Sequence, residues 1–160
     1  MPRPDVPYVV SGPVVTSFDD GRRLSALVDE GDAAGILAEC GPAGVAESWL
    51  AYHRADERSF KSNDWWAPDL LLNREFWFLE PPVVARTLCA LLERTRSDDE
   101  LDFVAAGPIE QLLRGSRAHA VLPFLLSACQ PELVESAISR VDLDEVRPEN
   151  LALLRRLGLA

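Results

Sequence analysis

Residues 81–100 read PPVVARTLCALLERTRSDDE, and this stretch decides the fold. Pro81-Pro82 supplies a helix start, because a proline at the first helical position gives up only an amide that lacks an intrahelical partner anyway. Val84, Leu88, Leu91 and Leu92 then recur at helical spacing, which predicts a helix over roughly 82–96 with one apolar stripe. Ser97-Asp98-Asp99-Glu100 follows as a capping box. The serine oxygen takes an orphan amide and the glutamate reaches back.

The same punctuation recurs outward in both directions. Toward the N-terminus, Asp19 and Asp20 are candidate caps for a helix carrying Leu24, Leu27 and Val28 on one face, ended by Gly31. Asp32 caps a short successor through about Cys40, and Gly41-Pro42 breaks the chain and starts the next helix, with Val45, Trp49 and Tyr52 in register. Residues 55–63 read as a polar loop, and Asn63 or Asp64 caps a helix bearing Trp65, Trp66, Leu70 and Leu71. Pro68 fits only within its first turn.

Toward the C-terminus, a short helix with Leu101, Val104 and Ala105 facing inward is broken by Gly107-Pro108, which launches another over 108–114. Gly115 stops it and Ser116 caps the next, which runs to about Ala128 and should kink or split at Pro123. Pro131 and Pro148 open two more helices. Residues 1–17, with early prolines and the run Tyr8 to Val15, read as a short extended arm, restricted by Pro13 to a sheet edge at most.

The expectation is an all-α chain, with an arm over 1–17 and a single helical domain over 18–160. Short loops favour an irregular stack of antiparallel helical hairpins, either α-solenoid-like or a bundle. No fixed repeat period supports a regular array.

Composition narrows the function by exclusion. The chain has 160 residues, 48% hydrophobic and 26% charged, an ordinary globular balance. Its formal net charge is -10 and its pI about 4.6. Such acidity repels nucleic-acid phosphates and anionic membrane surfaces but attracts a basic protein partner. Lys61 is the only lysine among 16 basic residues, an arginine bias in keeping with a GC-rich bacterial genome. No secretion signal and no apolar run near the ~20 residues of a membrane span is evident, so a cytoplasmic location is expected.

Cys40, Cys89 and Cys129 stand apart, without C-x-x-C spacing, and read as reduced buried thiols with no disulfide framework and no zinc site. No Walker loop, H-E-x-x-H or nucleophile elbow occurs, so no catalytic set, metal or cofactor is expected. The acidic clusters 98–102 and 142–145 lack the glycine-containing spacing of a calcium loop and read as solvated helix ends.

Two histidines are present, and His53 is the more informative. It lies one turn beyond Trp49, beside Tyr52, with Asp56 and Glu57 at i+3 and i+4. A carboxylate there would raise its pKa or orient its ring. Glu110, in the first turn after Gly107-Pro108, would complement a helix dipole. Of twelve Phe, Trp and Tyr residues, eight fall between Trp49 and Phe78. Trp65 and Trp66 are adjacent, so they cannot share one helix face. The same holds for Phe76, Trp77 and Phe78. Trp49, Tyr52, His53, Trp65, Trp66, Trp77 and Glu110 are therefore the candidate partner-binding residues.

Three runs carry a resemblance. They are Glu47 to Arg54 (ESWLAYHR), Asp64 to Leu70 (DWWAPDL) and Leu101 to Leu113 (LDFVAAGPIEQLL). In that order they resemble a bacterial helical domain family of unknown function with W-x-x-Y-H-like, W-A-x-x-x-L-like and A-G-P-L-E-x-L-L-like segments, over roughly residues 45–140. The chain departs from that pattern in Arg74 to Pro82, which reads as an insertion or a variant loop. The resemblance implies an all-helical fold and no activity. Trp49, His53, Trp65, Gly107 and Glu110 are the positions that fit it.

The expected function is a small acidic interaction protein of the immunity, antitoxin or adaptor type that binds and masks a protein partner. The alternatives are a structural or regulatory subunit of a larger assembly, and an enzyme or small-ligand binder using His53 and Glu110.

Overall fold

The computed structural model describes residues 18–59 and 61–160. The arm read over 1–17 lies outside the described residues, as does Phe60. Among the described residues the fold is all-helical, as expected, with no strand. None of their helices is long and apolar enough to cross a membrane.

Helix α1 spans Phe18–Asp29. The helix begins at Phe18, so Asp19 and Asp20 fall within its first turn rather than at its cap. Gly31, at φ 74°, closes it in the left-handed region that glycine adopts without cost. Helix α2 (Ala33–Arg54) starts where the Asp32 carboxylate accepts the Gly35 amide at 2.9 Å. The helical conformation is interrupted at Gly41 (φ 69°, ψ 169°), one residue before Pro42, so α2 consists of two helical segments meeting at a kink, as Gly41-Pro42 predicts.

Helices α3 (Trp66–Leu72) and α4 (Arg74–Trp77) are short. Asn63 and Asp64 do not cap α3; Trp65 occupies that position without a side-chain cap, and Pro68 sits in the first turn. Helix α5 (Pro81–Arg94) realises the stretch that predicts the fold, ending two residues early where Thr95 turns extended.

Helix α6 (Asp98–Val104) is capped as its sequence predicts: Ser97 Oγ accepts the Glu100 amide at 3.2 Å. The returning Glu100 carboxylate takes the Arg96 amide, one residue before the cap, and also pairs with Arg54.

Gly107-Pro108 does not break the chain. A π-helical turn over Ala105–Ile109 carries α6 directly into α7 (Glu110–Arg114). The Glu110 amide donates to the Ala105 carbonyl five residues back, so the turn widens by one residue and takes in a proline that an α-turn would reject.

Helix α8 (Ala118–Ala128) runs unsplit through Pro123, and its N-cap is Arg117, not Ser116. Helices α9 (Pro131–Ile138) and α10 (Pro148–Arg156) begin at their prolines as expected.

Helix α5 is the centre of the core. Its buried Val84, Ala85, Leu88, Leu91 and Leu92 lie between α2 and α8, which form its largest interfaces. Helices α1 and α3 cover α2 from the far side. At the opposite end, the buried Asn150 amide of α10 donates to the Leu113 and Gly115 carbonyls, at 2.7 and 2.8 Å. It thereby satisfies the free end of α7. Arg54 fastens α2 to the α5–α6 corner by bonding the Arg94 carbonyl at 3.0 Å and pairing with Glu100.

Candidate functional site

Three segments distant in sequence meet around one apolar cleft of about 320 Å³. The last turns of α2 contribute Trp49, Tyr52 and His53. The start of α3 contributes Trp65 and Pro68, and its end Leu71 and Leu72. The α6–π–α7 run contributes Phe103, Ala106, Gly107, Pro108 and Gln111. The volume is at the lower end of the ~300–1,000 Å³ common for ligand pockets. Its surface is overwhelmingly apolar, with Gln111, His53 and the Tyr52 hydroxyl as polar exceptions.

Helical geometry explains the aromatic wall. Trp49 and His53 are one turn apart on α2, and their ring centroids lie 3.9 Å apart. Phe103 also stacks on His53, at 5.6 Å with the planes 29° apart. Tyr52 meets His53 edge-on at 5.3 Å and carries Trp65 at 5.4 Å. Gly107 opens the far wall: a Cβ built on it would fall 3.5 Å from Cζ2 of Trp49. Any longer side chain at this position would enter the cleft.

His53 is held neutral. Burial first, and then the nearby Arg58 cation, push its pKa down to about 4. The expected raising by Asp56 or Glu57 does not occur, because α2 ends at Arg54 and both carboxylates lie exposed in the following loop. The Nδ1 atom of His53 is buried without a hydrogen-bond partner in the protein. Among the described residues no carboxylate acts on the ring, so none of them orients it as an acid orients a catalytic histidine.

The aromatic candidates divide. Trp49 is buried yet forms a cleft wall, and Tyr52 and Trp65 are partly buried at its edge. Trp66 is fully buried and Trp77 nearly so, and neither lines this cleft. Trp77 Nε1 donates to the Leu71 carbonyl at 2.8 Å, while Trp66 Nε1 is buried without a partner.

Glu110 does not join His53 in the cleft. It pairs with Arg114 one turn along α7. Because α6 continues into α7, Glu110 lies inside a helical run and not at a free N-terminus, so the expected dipole role does not apply. His53 and Glu110 therefore do not share the cleft.

Phe103 was not singled out by the sequence, although it is 42% exposed and closes the stack on His53. Its signal is present: it falls off the inward stripe of Leu101, Val104 and Ala105, an aromatic on the solvent side of an amphipathic helix. Leu72, 66% exposed on the rim, is the same kind of signal at the end of α3.

The cysteines are not all solitary. Cys89 on α5 and Cys129 at the end of α8 come together with Glu93, their ligand atoms within 4.8 Å of one another. A hydrogen bond with Cys129 and then burial push the Cys89 thiol well above its usual range. Cys89 Sγ also contacts Glu93 Oε1 at 3.2 Å and the Ala128 carbonyl at 3.5 Å. The three provide three donor atoms, one fewer than the four of a structural zinc site. Cys40 stays apart, its thiol pushed up to about 11 by burial.

Comparison with family models, with curated proteins and with solved structures gives no match to this chain.

Proposed function

We propose that this chain is a protein-binding module, of the cytoplasmic immunity, antitoxin or adaptor type, that buries an apolar side chain of its partner in the cleft between α2, α3 and the π turn. The observation that carries this reading is the composition of the cleft. Five aromatic rings, Trp49, Tyr52, His53, Trp65 and Phe103, surround an apolar space in which the one imidazole is uncharged and lacks an acid or nucleophile beside it. Such a site offers buried area and shape rather than bond-making groups.

The partner's character follows from charge. With a net charge of -10, the chain as a whole favours encounter with a basic protein, and exposed Leu72 and Phe103 form an apolar rim for the first contact. The resemblance supports the same place: Trp49, His53, Trp65 and Gly107, which carry the family-like pattern, all line the cleft.

The test is site-specific photocrosslinking in native cells. A benzoylphenylalanine at Phe103, beside the cleft, is expected to trap one discrete protein. The same group at Phe124, which is 45% exposed on α8 away from the cleft, serves as control. Equal trapping from both positions, or none from Phe103, removes the cleft as the docking site.

A further inference from the structure

A second cleft of about 220 Å³ lies on the other side of Gln111, which borders both. Its chemistry is the opposite of the first. Arg74 of α4, Arg117 at the cap of α8 and Arg147 before α10 converge on it, together with Ser116 and Gln111. No carboxylate lines it, although the chain carries 26 acidic residues against 16 basic ones.

The Arg74 and Arg117 guanidinium groups are held in place by groups other than carboxylates. Arg117 donates through Nε to the Trp77 carbonyl at 3.0 Å and through Nη2 to the Leu79 carbonyl at 3.1 Å. Those two bonds fix the plane of the fork and leave Nη1 as a donor. Arg74 and Arg117 both sit over the Phe78 ring, at 4.8 and 5.2 Å from its centroid. The ring spaces the two cations and offsets part of their repulsion. The third, Arg147, has only a loose contact with Glu149, at 3.7 Å. Three positive charges around a small concave space on an acidic protein repel one another unless an anion lies among them.

We propose that Arg74, Arg117 and Arg147 form a binding site for a phosphate group. Three guanidinium groups match a multiply charged tetrahedral oxyanion better than a singly charged carboxylate, since Arg74 and Arg147 can each offer a two-pronged fork, Arg117 adds Nη1, and a phosphate offsets more of the three positive charges than a carboxylate does. Ser116 and Gln111 add uncharged donors at the edge of the same space. This site is independent of what occupies the aromatic cleft.

The test is titration of the full chain with inorganic phosphate by calorimetry at low chloride, with acetate as the comparison anion. One saturable site for phosphate is expected, with acetate at least ten-fold weaker. Arg147→Ala and Arg74→Ala are each expected to weaken phosphate at least five-fold. These two side chains are exposed and bond no core carbonyl, so the folded state should persist, which circular dichroism verifies. Arg22→Ala on α1 is the control and should bind as the unaltered chain does. Acetate binding as tightly as phosphate, no saturable heat, or equal affinity in the Arg74 and Arg147 variants would overturn the proposal.

Discussion

The imidazole of His53 lies against the indole of Trp49 with centroids 3.9 Å apart, and this contact fixes the electrostatic character of the cleft. A ring so enclosed is desolvated, and desolvation disfavours its cation. The site therefore keeps an uncharged lining at neutral pH.

The first consequence is a pH dependence of stability. The folded-state pKa of His53 is lowered from 6.5 to about 4. Between those values the unfolded chain binds a proton that the folded chain refuses, so stability falls as pH drops from 6.5 toward 4 and is fully present above 6.5. His53→Phe keeps a ring in the stack and removes the proton site. Denaturant unfolding at pH 7 and pH 5 should show a smaller acid loss in the variant than in the unaltered chain. Identical losses would mean that the ring is not held neutral by burial. The Glu100 carboxyl acts elsewhere on the scale: Arg54 holds it below its usual range, so its contribution is lost only in stronger acid.

The π turn yields a second prediction. A methyl group at Gly107 would meet Trp49 at 3.5 Å, ordinary contact distance, and the backbone there is not left-handed. Gly107→Ala should therefore stabilise the chain by ~0.4–1 kcal/mol, by restricting the unfolded state. Thermal melts check this. A clear destabilisation would show that the turn needs glycine for a reason other than space.

The two core tryptophans make a third. Trp77→Phe removes the bond to the Leu71 carbonyl and leaves that acceptor buried, a cost of about 1–3 kcal/mol in addition to the lost volume. Trp66→Phe removes an indole N–H that already lacks a partner, so only packing is lost. Urea midpoints should place Trp77→Phe as the more destabilised of the two. The reverse order would indicate that Trp66 Nε1 is satisfied in solution, for example by a buried water.

These contrasts mark where the sequence was readable. Local chemistry was: Gly31, Asp32, Gly41-Pro42, Ser97 and the proline starts at 81, 131 and 148 act within a turn or two, and each does in the fold what its type dictates. Gly107-Pro108 misled, because the same dipeptide that ends an α-helix can be absorbed by a π turn, and only packing on both sides selects the second. The cleft was half legible. Trp49, Tyr52, His53 and Trp65 were named as binding candidates, but periodicity along one helix carries no information on which segment lies opposite. Phe103 and the Arg74, Arg117 and Arg147 group therefore escape it, and of the other binding candidates Trp66 is fully buried, Trp77 nearly so, and Glu110 is paired with Arg114.

The corner held by Arg54 supports the cleft from behind, since Arg54 follows His53 in the chain. Arg54→Met leaves the Glu100 carboxylate, which is 15% exposed, without its cation and the Arg94 carbonyl without its donor. A loss of ~1.5–3 kcal/mol is expected, as for hydrogen bonds to charged groups. A double-mutant cycle with Glu100→Gln should return a coupling of about 1 kcal/mol or more. A coupling near zero would make the pair an exposed surface contact.

The most direct measurement on the docking role combines the Phe103 crosslinker with Gly107→Leu, whose side chain would fill the cleft from the π turn. With the protein still folded by circular dichroism, the discrete crosslinked partner seen with glycine at 107 should fall at least ten-fold with leucine there. An undiminished crosslink would contradict the claim that this cleft receives the partner.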